Sequence, residues 1–173
     1  MSLIGEFLQG KWLGHPLHPA LVHVPTGLFP AALLFDLIGW AGGDADVLGR
    51  CAFWSIAIGI IVALIAAPTG LADWWDIKSG KPAHRLGLIH ASINVVVLAL
   101  MSTSLYMRWR AGESKASPPT MAFVTNILGN VMLAISAYLG GRMVFDRGVG
   151  VARLSKKTWE KIARAGRARL PVE

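Results

Sequence analysis

The sequence predicts an all-α integral membrane protein: a four-helix transmembrane bundle followed by a short, basic, amphipathic C-terminal helix. Three observations carry this. Of 173 residues, 54% are hydrophobic and only 16% charged; the mean hydropathy is +0.51; and the apolar residues gather into four long runs. A soluble domain of this size carries more charge, and a crossing helix needs about 20 mostly apolar residues.

The runs cover residues 20–40, 47–67, 86–107 and 121–141. Residues 1–150 therefore form one transmembrane domain, and 151–173 a basic tail. The connections are short, so successive helices are expected to be antiparallel neighbours. The N-terminal stretch has no basic start and no early apolar core, so no cleaved signal peptide is expected and the first run stays as an anchor. Ser55, Gly59, Ala63 and Ala67 recur every fourth residue in the second run, a small-residue stripe that lets a neighbouring backbone approach closely.

Charge gives the orientation. The formal net charge of +7 is concentrated in the tail, which holds Arg153, Lys156, Lys157, Lys161, Arg164, Arg167 and Arg169 against Glu160 and Glu173. The basicity thus belongs to one segment and does not indicate a nucleic-acid partner. With four spans, the tail shares a side with Lys11, Lys78, Lys81, Arg85, Arg142 and Arg147, whereas the opposite side holds Arg50, Arg108, Arg110 and Lys115. Lysine and arginine collect on the cytoplasmic side of bacterial inner membranes, so both termini are expected there. In the tail, Val151, Leu154, Thr158, Ile162 and Ala165 fall at three- to four-residue steps, a pattern suited to an anionic leaflet.

The chain also carries a weak internal repeat. Ala67, Gly70 and Asp76 after the second run match Ala137, Gly140 and Asp146 after the fourth, with Trp75 and Phe145 in step, and the first and third runs both open with histidines. This predicts two hairpins related by a pseudo-twofold along the membrane normal.

The histidines are the main candidates for chemistry. His15, His18, His23, His84 and His90 all lie at one end of the bundle. Pro16 and Pro19 stiffen the segment around His15 and His18 and place Pro19 at the start of a helix. His23 and His90 then lie about one turn inside their helices, at matching depth, where they can face each other across the bundle. Asn94, four residues beyond His90, and Asp73 can stand behind a ligating imidazole and fix its tautomer. Ionisable residues at such depth are functional candidates. Asp36 is expected to cap a neighbouring helix or reach the far interface, with a proton path as the alternative. Asn126 and Asn130 are expected to bond between helices. A single cysteine, Cys51, excludes an internal disulfide and a cysteine-based metal site. Phosphate-loop, zinc-protease and serine-elbow motifs are absent, which argues against conventional soluble-enzyme chemistry.

The run His15-Pro-Leu-His18-Pro-Ala-Leu-Val-His23-Val-Pro25-Thr-Gly27, then Asp36, Gly70-Leu-Ala-Asp73-Trp74, His90-Ala-Ser-Ile-Asn94, Gly140-Gly141 and Gly148-Val-Gly-Val151, resembles an uncharacterised bacterial family of four-helix membrane proteins. The resemblance extends from Gly14 to Val151, with Val24 standing where an aromatic residue is expected. Family members fused to Rieske or cytochrome modules imply a place in membrane electron transfer.

Three functional readings follow. A b-type haem with His23 and His90 as axial ligands needs two ligating nitrogens about 4 Å apart. A zinc, iron or copper ion would draw ligands from His15, His18, His23, His84, His90 and Asp73. The third reading is a cofactor-free accessory or scaffold subunit of a larger, possibly redox, membrane complex. The lipid bilayer is the common partner of all three, and homo-oligomerisation is compatible with each.

Overall fold

The computed structural model describes residues 3–112 and 118–150, together with Lys161 and Ala165, which are helical. Most of the expected amphipathic tail, 151–173, lies outside the described residues. Among the described residues the secondary structure is helical throughout, without strands, and four helices are long and apolar enough to span a membrane. A short N-terminal helix, α1 (Leu3–Leu8), precedes a 3₁₀ turn at Lys11–Leu13. The spanning helices are α2 (Leu17–Trp40), α3 (Ala45–Trp75), α4 (Pro82–Ala111) and α5 (Thr120–Phe145).

Local chemistry explains the boundaries. The Asp44 carboxylate accepts from the Val47 amide at 3.1 Å and starts α3. Pro82 opens α4, where its missing N–H costs nothing, and Gly112 in a positive-φ conformation ends it. Helix α4 extends four residues beyond the expected run at each end and α5 four at its C-terminus, and two further boundaries involve prolines. Helix α2 begins at Leu17 with Pro16 as its cap, placing Pro19 inside the first turn. Helix α3 continues through Pro68 to Trp75. A helix inside a bundle tolerates proline because neighbouring groups satisfy the freed backbone, and polar side chains gather close by: the Ala66 carbonyl accepts from the Thr69 hydroxyl at 2.6 Å.

Helix α2 packs chiefly on α3 and α4 on α5, forming two hairpins, and α3–α4 and α2–α5 contacts join them. Helices α2 and α4 thus stand diagonally opposed. Large apolar side chains such as Leu34, Ile58, Ile61, Leu64, Val95 and Leu128 cover the outside, a surface suited to lipid rather than water.

The hairpins are internal copies of one another. Buried positions on α2 (Pro25, Phe29, Ala32, Asp36) and on α4 (Val97, Met101, Ser104, Arg108) have the same spacing. Buried α3 residues Ala52, Phe53, Ser55, Ile56, Gly59 and Ala66 correspond to Ala122, Phe123, Thr125, Asn126, Gly129 and Ser136 of α5. Contacts repeat as well. A Cβ on Gly59 would lie 2.4 Å from Phe29, and one on Gly129 would lie 2.7 Å from Met101. The pseudo-twofold expected from the sequence is therefore expressed in packing, with the axis running down the bundle between α2 and α4.

Candidate functional site

At the histidine end the repeat sets two imidazoles in equivalent surroundings. His18 Nδ1 lies 3.0 Å from the Ala66 carbonyl and 3.3 Å from the Thr69 hydroxyl. His90 Nδ1 lies 2.9 Å from the Ser136 carbonyl and 3.0 Å from its hydroxyl. Ala66 and Ser136 are equivalent residues, as are Gly70 and Gly140, whose bare backbones receive the rings: a Cβ would come within 2.6 Å of His18 at Gly70 and 3.1 Å of His90 at Gly140. Gly70 lies five residues before the end of α3 and Gly140 five before the end of α5, so the rings share one depth.

The hydrogen bonds define the tautomers. A carbonyl only accepts, so Nδ1 carries the proton in both rings. The second nitrogen then holds a lone pair. On His90, Nε2 accepts from the Asn94 amide at 3.1 Å, and that amide also reaches the His90 carbonyl at 3.0 Å. On His18, no described residue bonds Nε2.

This changes the expected pair. His23 is exposed on the outer surface of α2, so it is not the counterpart of His90; His18 is, by its equivalent seat. Both depth and face differ from the expectation for His23, because it stands five residues, about 7.5 Å of helix, beyond the position equivalent to His90 and turns out of the buried stripe. Its α4 equivalent, Val95, is likewise exposed. His84 is engaged elsewhere: its ring packs at 4.4 Å on Trp74, whose indole N–H donates to the His84 carbonyl at 2.9 Å. His15 is exposed. Among the described residues no three histidine, cysteine, aspartate or glutamate side chains converge as a metal site would require. The set His15, His18, His23, His84, His90 and Asp73 is thus dispersed, and Asn94 alone of the expected supporting groups stands beside an imidazole.

A vestibule of about 790 Å³ opens at this end, lined by His15, Pro16, Asp73, Asp76, Lys81 and Arg147 among others. Pro16 stands two residues before His18 and Asp73 three after Gly70, so the vestibule lies at the same end of the bundle as the imidazole pair without being lined by it. Gln9 closes one side, its amide donating to the Ala72 carbonyl at 3.0 Å and to Asp76 at 2.7 Å.

A second polar group lies at the far end of the axis. Asp36 and Arg108, 3% and 4% exposed, form a bidentate ion pair with Nη1 to Oδ1 at 2.9 Å and Nη2 to Oδ2. The Asn126 amide donates to Oδ2 at 3.0 Å, and Arg108 Nε reaches the Ser104 hydroxyl at 3.4 Å. Asn130 extends the network to Asn126 at 2.9 Å and to the Phe29 carbonyl at 3.2 Å. Asp36 therefore neither caps a helix nor reaches the interface, and Arg108 is a core residue rather than a loop charge. Asn126 and Asn130 do bond between helices, as expected.

Gly70→Ala is expected to push the His18 ring off its seat, since the new methyl overlaps three ring atoms, and Gly140→Ala to disturb His90 less. Modification by diethyl pyrocarbonate, mapped by mass spectrometry, should rise at His18 in Gly70→Ala and change little at His90 in Gly140→Ala. Equal reactivity of His18 in wild type and Gly70→Ala would contradict the seating.

Residues 14–153 match the model of the family described as predicted membrane protein DUF2231. No curated protein and no solved structure matches the chain.

Proposed function

Taking as premise that the chain belongs to the DUF2231 family of predicted membrane proteins, we propose that it is an electron-transfer subunit whose bundle binds one b-type haem between His18 and His90. The observation that carries this reading is the pair itself. Two imidazoles on diagonally opposed helices have equivalent supports, each with Nδ1 on a helix carbonyl, a tautomer that leaves Nε2 for an iron. A haem would need only two imidazoles from the protein, and His18 and His90 would hold it. An isolated ion asks for three or four, and the dispersed side chains do not offer them.

The chain's own residues have separable tasks. Ala66 and Ser136 orient the rings, and Gly70 and Gly140 leave room for them. Asn94 holds His90 Nε2 and the His90 carbonyl together and would keep the second bond if Nε2 were taken by an iron. Lys81 and Arg147 at the vestibule suit the carboxylate edge of the group, and the apolar core beyond excludes water. When bound, the haem supplies one-electron redox chemistry.

The reading includes a location in a bacterial inner membrane with both termini cytoplasmic. Because Arg108 is buried, the exposed cations of the far side among the described residues are Arg50 and Arg110, which sharpens the charge asymmetry. The vestibule then faces the cytoplasm, where a redox partner or larger complex can dock.

Visible spectra of the detergent-purified protein, oxidised and dithionite-reduced, test this directly. A sharp Soret band with reduced α and β bands is expected, lost in His18→Ala and in His90→Ala and kept in His23→Ala. A protein that stays colourless after expression with excess haem would return the assignment to a cofactor-free scaffold.

A further inference from the structure

A chain built from two like hairpins has a pairing problem: either inner face resembles its partner's, so two first hairpins from different copies offer each other much the same surface as a first and a second. The equivalent core positions are mostly uncharged and interchangeable in kind: His18 with His90, Phe29 with Met101, Ala32 with Ser104. One pair differs in charge. Asp36 and Arg108 occupy equivalent positions on α2 and α4, and they meet across the axis.

We infer that Asp36 and Arg108 are the pairing determinant of the two halves, so that the partner each inner face accepts is the unlike hairpin. Joining two first hairpins would bring two Asp36 carboxylates together away from water, and joining two second hairpins would do the same with two Arg108 guanidinium groups. Like charges in a low-dielectric interior repel strongly, and each would also lack its bidentate partner. The unlike pairing is neutral, with both carboxylate oxygens and both terminal guanidinium nitrogens bonded. Asn126 reinforces the choice, because its amide donates to the carboxylate whereas its α3 equivalent, Ile56, has no hydrogen bond to give. Discrimination thus comes from a repulsive element as much as from an attractive one, as in other interfaces where charge selects the partner.

The test uses full-length chains carrying two different affinity tags. Arg108→Asp makes both halves acidic and Asp36→Arg makes both basic; expressed alone, each should lose about tenfold or more of its monodisperse, detergent-stable yield. The double variant Asp36→Arg/Arg108→Asp restores an unlike pair within one chain and should recover most of that yield. Co-expressing the all-acidic and all-basic chains should also restore yield, with the tags recovered together in roughly equal amounts, because each half then finds an unlike partner on the other copy by exchange. Two differently tagged all-acidic chains should show no recovery. The inference fails if the double variant is as depleted as the single ones, if the complementary chains do not rescue each other, or if like-charged chains rescue equally well.

Discussion

Arg108→Leu is expected to lower the unfolding free energy in mixed micelles by about 3–5 kcal/mol, the range for breaking a buried ion pair from one side. The cost comes chiefly from the partner left behind. Asp36 is 3% exposed, and without Arg108 its remaining side-chain partner is the Asn126 amide. Asp36→Leu leaves the guanidinium instead, which lies near the end of α4 and has a long apolar stem, so partial escape toward the interface should make this variant the milder of the two. The double variant Asp36→Leu/Arg108→Leu removes both charges and should recover most of the loss, since replacing a whole buried pair by apolar groups is often neutral. Strictly additive effects in this cycle would mean that the two side chains are not coupled.

Much of the architecture is legible in the sequence, because hydropathy alone sets the number of spans and short connections set their neighbours. Helix ends were less so. Helices α3 and α4 run beyond their apolar stretches, where no change of residue type marks the backbone's continuation past the hydrocarbon. The imidazole pair was half legible. Depth and i+4 spacing point to His90 and Asn94, but the choice between His18 and His23 depends on the register of the repeat, which sets both depth and face. A signal for it was present: His18, Pro25, Phe29, Ala32 and Asp36 have the same spacing as His90, Val97, Met101, Ser104 and Arg108, and His23 falls outside the stripe. The ion pair was hidden by the same omission. Asp36 alone resembles an interfacial anchor and Arg108 alone a loop cation; only their equivalence within the repeat shows that they meet. The repeat is plainest in sequence at the ends of α3 and α5, whereas its informative content lies on α2 and α4.

That repeat also yields an unequal pair of glycine variants. Gly59 and Gly129 are equivalent, yet Gly59→Ala is expected to be the costlier change, by about 1–3 kcal/mol as for overpacking a filled core. The difference lies in the facing side chain. At Gly59 the added methyl would stand 2.4 Å and 2.8 Å from two atoms of the Phe29 ring, a rigid group 1% exposed that can yield only by moving whole, so α2 must shift from α3. At Gly129 the nearest atom, at 2.7 Å, is the terminal methyl of Met101, and the thioether has rotations available to swing it aside. Gly129→Ala should therefore cost well under half as much. Phe29→Leu in the Gly59→Ala background should recover part of the loss, by removing the ring atoms that the new methyl would strike. Unfolding in mixed micelles of the two single variants and the Phe29→Leu/Gly59→Ala combination measures all three. Equal costs at Gly59 and Gly129, or no recovery with Phe29→Leu, would show that the helices separate by another route and that the ring does not set the α2–α3 distance.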